Sequence, residues 1–334
     1  MPNFILLTGA GFSRNWGGWL ADEAFEYLLG HPKIDDGLRQ LLWRHKGKGG
    51  FEAAVDEQRT ETIRANPYPM MGVSSNVPML GHSQQLDEAI QGMFADMNKA
   101  FFEMHAMKFD EFPNYPMMHF LAGFDAIFTL NLDLLMEYHY RAGDPSLPPW
   151  HKRWHMPGME RTAEAPDTAI RYVEQWRPMN SSKFALDKNR QPYFKLHGSS
   201  NWIDTVNGQP MLVIGGKKAT EIGRHKILTW NYQQFEACLS KPDTRLMVIG
   251  YSFGDEHINT ALIDAARGGS LRLFIIDPCG VDVLERSPLA ASTGTLPDPK
   301  QLQGYVVGAS RRLLSQIFGG GDPVEHAKVM RFFA

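Results

Sequence analysis

Short, wholly apolar runs recur along the chain, and each stops at a cluster of small or polar residues. The first is FILL, Phe4 to Leu7, which ends in Thr8-Gly9-Ala10-Gly11. After Gly17 and Gly18 the spacing becomes helical: Trp19, Leu20, Ala24, Tyr27 and Leu28 share a face, and Gly30 offers a stop. Residues 38–112 carry mainly helical spacing, broken by a Pro- and Gly-marked loop over 66–81. LDEAIQGMFADMNKAFFEMHAM is the longest helical candidate there. FDAIFTLNLD predicts a second buried strand, Ala126 to Leu130, with a helix from about Leu132. FKLHGSSNW, Phe194 to Trp202, opens with strand alternation and then reads as a polar loop. MLVIGG suggests a strand pair, and HKILTWNYQQFEACL turns helical towards its end. RLMVIGYSFGDEHINTALIDAARGG repeats the grammar of strand, small-residue loop and helix. LRLFIIDPCG adds a buried strand, Leu273 to Ile276, that ends at Asp277.

Apolar strands that do not alternate, each followed by a small or polar loop and a helix, are the mark of a parallel sheet covered on both faces. The expected fold is α/β: a Rossmann-like parallel sheet with helices on both faces, helical and irregular insertions, and no zinc ribbon. The chain reads as one domain over 1–334. Within it lie a helical insertion over 38–112 and an irregular Pro/Trp-rich insertion or lid over 143–191. A helical C-terminal tail follows over 278–334, suited to covering the sheet or to assembly. In such sheets ligands sit beyond the carboxyl ends of the strands. Every polar cluster quoted above falls at that edge.

Composition narrows the class. The chain has 334 residues, 43% hydrophobic and 21% charged, with a formal net charge of −3. That balance gives no electrostatic reason to expect nucleic acid or an anionic membrane as a direct partner. Cys238 and Cys279 are the two cysteines. Two thiols spaced so far apart cannot build a four-thiolate zinc site, so no metal is expected, and they suit a reducing, cytoplasmic setting. The apolar run at the start is too short for a signal peptide or a spanning helix.

The clusters have chemistry of their own. Gly9, Ala10 and Gly11 let a backbone approach a pyrophosphate, and Ser13 can add a hydroxyl; a plain tight turn is the competing reading. A dehydrogenase fingerprint would place glycine at position 14, where Arg14 stands, so hydride transfer is disfavoured. Asn131 can orient a water or a carboxamide, and Asp133 can accept from an amide; either can also cap a helix. Gly250, Ser252 and Gly254 leave room for a ribose or phosphate, while Asp255 reads as a helix cap and His257 as a surface or packing residue. Asp277 suits a ribose hydroxyl or the turn before Pro278. His197 at a strand end can act as a base near neutral pH, or serve as a hydrogen-bonded structural residue.

Taken in order, GAGFS, TLNLD, KLHGSSNW and VIGYSFGDEHIN resemble the motifs of the SIR2 (sirtuin) superfamily, particularly its bacterial SIR2-like branch. The resemblance implies NAD as substrate, with Gly9, Ala10, Gly11 and Ser13 at its phosphates. It places Asn131 beside the nicotinamide ribose, Asp133 near the carboxamide and His197 as catalytic base. Gly250 and Ser252 fall near phosphate and ribose, and Asp277 near the adenosine ribose. Deacylating sirtuins carry a zinc ribbon with two cysteine pairs, which this chain lacks. The implied activity is therefore NAD hydrolysis to nicotinamide and ADP-ribose, or a cyclic form, in an anti-phage effector that depletes NAD. It further implies a homo-oligomer and a partner such as a HerA-type ATPase. NAD-dependent deacylation or ADP-ribosyl transfer is the first alternative, and a non-catalytic NAD or ADP-ribose sensor the second.

Overall fold

The computed structural model describes residues 3–65, 78–105, 107–109, 117–140, 153–162, 174–205, 208–269, 271–285 and 297–334. Its main sheet has seven strands: β1 (Asn3–Thr8), β2 (Ala126–Thr129), β3 (Arg153–His155), β6 (Arg190–Lys195), β9 (Thr244–Ile249), β10 (Leu271–Ile276) and β11 (Val306–Ser310). All pair in parallel, in the order β11-β10-β9-β1-β2-β6-β3. A smaller sheet joins β4 (Met159–Arg161), β5 (Trp176–Pro178), β7 (Gly198–Ile203) and β8 (Pro210–Leu212). The fold is a Rossmann-like α/β architecture, with no zinc ribbon among the described residues.

The central strands show why their sequences do not alternate. Leu6, Ile127 and Met247 pack into one apolar layer, whereas Ile5, Leu7, Phe128, Leu246 and Val248 pack into the other. Successive residues face opposite layers, and both layers are covered, so each position must be apolar. Helices Asp36–His45, Gly50–Ala65 and Pro78–Glu103 lie on the first side; Lys226–Leu239 and Glu256–Arg267 cover the second. No helix among the described residues is long and apolar enough to cross a membrane.

Sequence and structure part at several places. GSSNWI is the strand β7 rather than a polar loop. Gly198 takes φ +81°, which turns the chain out of the main sheet immediately after β6. The polar side chains of β7 are paired inside: Ser199 Oγ donates to Asn201 Oδ1 at 2.9 Å, and Ser200 Oγ accepts from Asn98 Nδ2 at 2.8 Å. The helix expected from Leu132 begins at Leu135, because Asp133 Oδ1 accepts from the Leu135 N–H at 3.1 Å. Gly30 is the last helical residue, and His31 leaves in extended conformation. The tail after Asp277 contributes an edge strand, β11, besides helices Leu314–Phe318 and Pro323–Met330. The described part of 143–191 holds β3, β4 and β5, each three residues long and too short to show a period. Residues 143–152 and 163–173 of that segment, and most of the 66–81 loop, lie outside the described residues.

The strand order reverses at β1, which pairs with β9 on one side and β2 on the other. That switch point leaves a crevice at the carboxyl ends, where open α/β sheets hold their ligands.

Candidate active site

A cavity of about 1420 Å³ occupies that crevice. Gly9, Ala10 and Gly11 reach it after β1, Asn131 and Asp133 after β2, and His197 after β6. Gly250 and Ser252 reach it after β9, and Asp277 after β10. Of the residues named from sequence, Ser13 alone does not line it; its side chain lies beneath the wall, 2% exposed.

Two of the loops are built against each other. The Gly11 N–H donates to the Gly250 carbonyl at 3.0 Å, and Gly250 takes φ +62°. A Cβ on Gly9 would lie 2.6 Å from the Gly250 oxygen, and one on Gly11 would lie 2.7 Å from Gly250 Cα. These glycines are therefore fixed by loop-on-loop packing as well as by any ligand.

Ser13 ties the next layer together. Its Oγ accepts from Asn131 Nδ2 at 2.9 Å and bonds the Asp133 carboxyl. Held by its NH2, the Asn131 amide presents Oδ1, an acceptor, on its other arm. Burial pushes the Asp133 carboxyl up, opposed by the Lys195 charge and by bonds from Leu135 and Ser13. Beneath it, fully buried Lys195 donates from Nζ to the Asp133 carbonyl at 2.5 Å and to Glu137 Oε1 at 2.7 Å. Burial raises the Glu137 pKa as well, again opposed by Lys195.

His197 is 3% exposed, and its Nε2 lies 3.1 Å from Nε2 of His257. Burial drives the His197 pKa down to about 3, despite the favourable Asp255 charge. The expectation of a base titrating near neutral pH is thus corrected: desolvation outweighs the neighbouring carboxylate. Asp255 makes no side-chain cap, although it was read as one. Its Oδ1 instead accepts from Lys218 Nζ at 2.8 Å, and Lys218 also pairs with Glu52 Oε2 at 2.9 Å. Burial raises the Asp255 pKa, but the His197 and Lys218 charges outweigh it and hold the carboxyl below its usual range. Asp277 Oδ1 accepts from the Cys279 N–H at 2.8 Å, so it serves the turn while lining the cavity.

His257, Lys218 and Glu52 also line the cavity and were missed from sequence. His257 carried a usable signal, because it follows Asp255 by two residues, in the first turn of the helix that leaves the ligand edge of the sheet. Lys218 and Glu52 carried none, since each reaches the site only through tertiary packing. Another wall is apolar, formed by Phe51, Met93, Phe94, Met97, Val213 and Ile214. Among the described residues no group of three His, Cys, Asp or Glu side chains could hold a metal ion.

A family model described as SIR2-like domain matches residues 125–296. The match spans just over half of the 334 residues, and the chain belongs to the SIR2-like domain family, in a superfamily that uses NAD as substrate. Asn131, Asp133, His197, Gly250, Ser252 and Asp277 fall inside the match; Gly9 to Ser13 precede it. No curated protein matches the chain.

Proposed function

We propose that this SIR2-like protein hydrolyses NAD, cutting the nicotinamide–ribose bond to give nicotinamide and ADP-ribose. The observation that carries it is the meeting of Asn131 and His197 in one cavity with the Gly9–Gly11 and Gly250–Ser252 loops. The loops would take the pyrophosphate and ribose, and Asp277 the hydroxyls of the distal sugar. Asp133 would accept from the carboxamide of nicotinamide. As the bond to the positively charged pyridinium breaks, charge moves onto the ribose in an oxocarbenium-like transition state. Asn131 Oδ1 would hold a water against the anomeric carbon, and His197 would take a proton from that water or from a ribose hydroxyl.

The test is nicotinamide release by the purified chain beside His197→Ala and Asn131→Ala, with and without an acetylated peptide. Release without peptide, lost in both variants, is the expected result. Release that requires the peptide would move the assignment to deacylation, a second reading that the apolar wall around Phe94 and Met97 favours. Binding of NAD without turnover would instead leave a sensor, or an enzyme awaiting a partner. By resemblance, the setting we propose is anti-phage defence by NAD depletion, in a homo-oligomer or with a HerA-type ATPase.

A further inference from the structure

NAD hydrolysis releases a proton that the leaving group does not carry away. Nicotinamide departs as a neutral base when the glycosidic electron pair returns to its ring nitrogen, so the proton from water stays with the protein. Here the base, His197, is 3% exposed. The neighbour on its Nε2, at 3.1 Å, is a second imidazole. Two ring nitrogens at that distance share one proton, one ring donating and the other accepting. His257 lies in the first turn of Glu256–Arg267 and is only partly buried, with cavity space beside it.

We propose that His257 is the outer ring of a two-histidine proton relay, which receives through Nε2 the proton that His197 takes up and passes it to solvent. The relay rests on the hydrolase function proposed above. As the water oxygen bonds the anomeric carbon and the carbon–nitrogen bond breaks, His197 accepts the water proton at Nδ1, the ring nitrogen not committed to His257. Its Nε2 proton moves to His257 Nε2, and the His257 Nδ1 proton leaves to water. One NAD and one water thus give nicotinamide, ADP-ribose and one released proton. Once the products have left, His197 Nδ1 gives its proton to cavity water, while His257 takes one from solvent at Nδ1 and returns its Nε2 proton to His197, which restores the starting tautomers.

The charges around the pair suit transit rather than storage. The Asp255 carboxylate favours a protonated state on both rings, and Lys218 opposes it on both. Glu52 holds Lys218 from the far side, Tyr232 donates its hydroxyl to the His257 carbonyl at 2.7 Å, and the Tyr251 hydroxyl bonds the Asp255 backbone. Burial pulls His197 to about 3 and His257 to about 4, so neither ring holds a second proton at neutral pH. His257 is the less buried of the two rings, and the transfer therefore runs outward.

The test compares His257→Ala and His257→Gln with the wild-type chain. Nicotinamide release should fall by about 100-fold in kcat with KM for NAD unchanged, the size of a lost proton-transfer step. Added imidazole should restore the His257→Ala rate in a saturable way and leave wild type unaffected. Nitrogen NMR of the imidazoles should show the His197 Nε2 signal shifted in His257→Gln, with or without substrate. An unchanged kcat, a loss that imidazole does not restore, or an unmoved His197 signal would each overturn the relay. If wild type itself releases no nicotinamide, the hydrolase function has failed and the relay falls with it. The NMR signal would then report whether the two rings are bonded at all.

Discussion

Lys195 Nζ lies 2.7 Å from Glu137 Oε1, and both groups are buried. The same ammonium holds the Asp133 carbonyl, so a core ion pair supports the segment that carries Asn131. Taking one partner from a buried pair typically costs about 3–5 kcal/mol, because the other is left unpaired. Lys195→Met should therefore destabilise by that amount in urea unfolding. Adding Glu137→Leu should recover most of the loss, since an apolar replacement removes the stranded carboxyl. Activity should not return in the double variant, as the Asp133 carbonyl still lacks its donor. A single variant as stable as wild type would show that the pair is solvated in solution.

Gly250 supports a second expectation. A side chain there meets both a left-handed φ and the Gly11 backbone. Gly250→Ala should lose more than about 2 kcal/mol without any ligand present, read from the urea midpoint. Gly254→Ala is the control: its added Cβ would meet only Ser252 Oγ at 3.4 Å and should be nearly neutral. Equal stability of the two variants would mean that the loops do not pack as described.

Much of this could be read in the sequence where a single segment carried the whole signal. FILL, AIF and LMVI are apolar at every position because two covered layers demand it, so both strand type and strand polarity were visible. The loops after them hold the cavity wall for the same reason. GSSNWI misled because its serines and asparagine find partners inside the protein, and polarity alone does not distinguish a paired strand from a loop. The strand β11, VVGAS, is an edge strand of mostly small, half-buried residues, so it lacks the apolar run that marks the central strands. At the site, residues on strand ends were legible, whereas Lys218 and Glu52 join through an ion pair between distant segments. Ser13 was found by its motif, but its burial could not be.

Ser13 distinguishes two roles. A hydroxyl at the phosphates would matter for substrate affinity, whereas one beneath Asn131 sets the amide's orientation. With Ser13 2% exposed, Ser13→Ala should lower kcat by about 10-fold and leave KM for NAD near wild type, the pattern of an interaction felt in the transition state. Steady-state kinetics of nicotinamide release reads both constants. A raised KM with unchanged kcat would place the hydroxyl on the substrate instead.

Acid should weaken the fold through the two histidines. In the unfolded chain an imidazole takes up its proton near pH 6.5, whereas in the fold burial delays this to about 3 for His197 and about 4 for His257. Between those limits the unfolded state binds more protons, so unfolding becomes easier as pH falls from about 6.5 towards 4. At neutral pH and above both rings are uncharged in either state, and the effect vanishes. Asp133 and Glu137 act in the opposite sense, because burial raises their pKa values and the native state holds the extra proton. Comparison with a variant separates the two contributions. His197→Gln should flatten the fall in Tm between pH 7 and 5, while the carboxylate contribution stays in place. The same depression keeps His197 ready as a base, so the acid limb of kcat/KM should lie below pH 5 rather than near 6.5. A limb near 6.5, with identical Tm slopes in wild type and variant, would mean that water reaches His197 in solution.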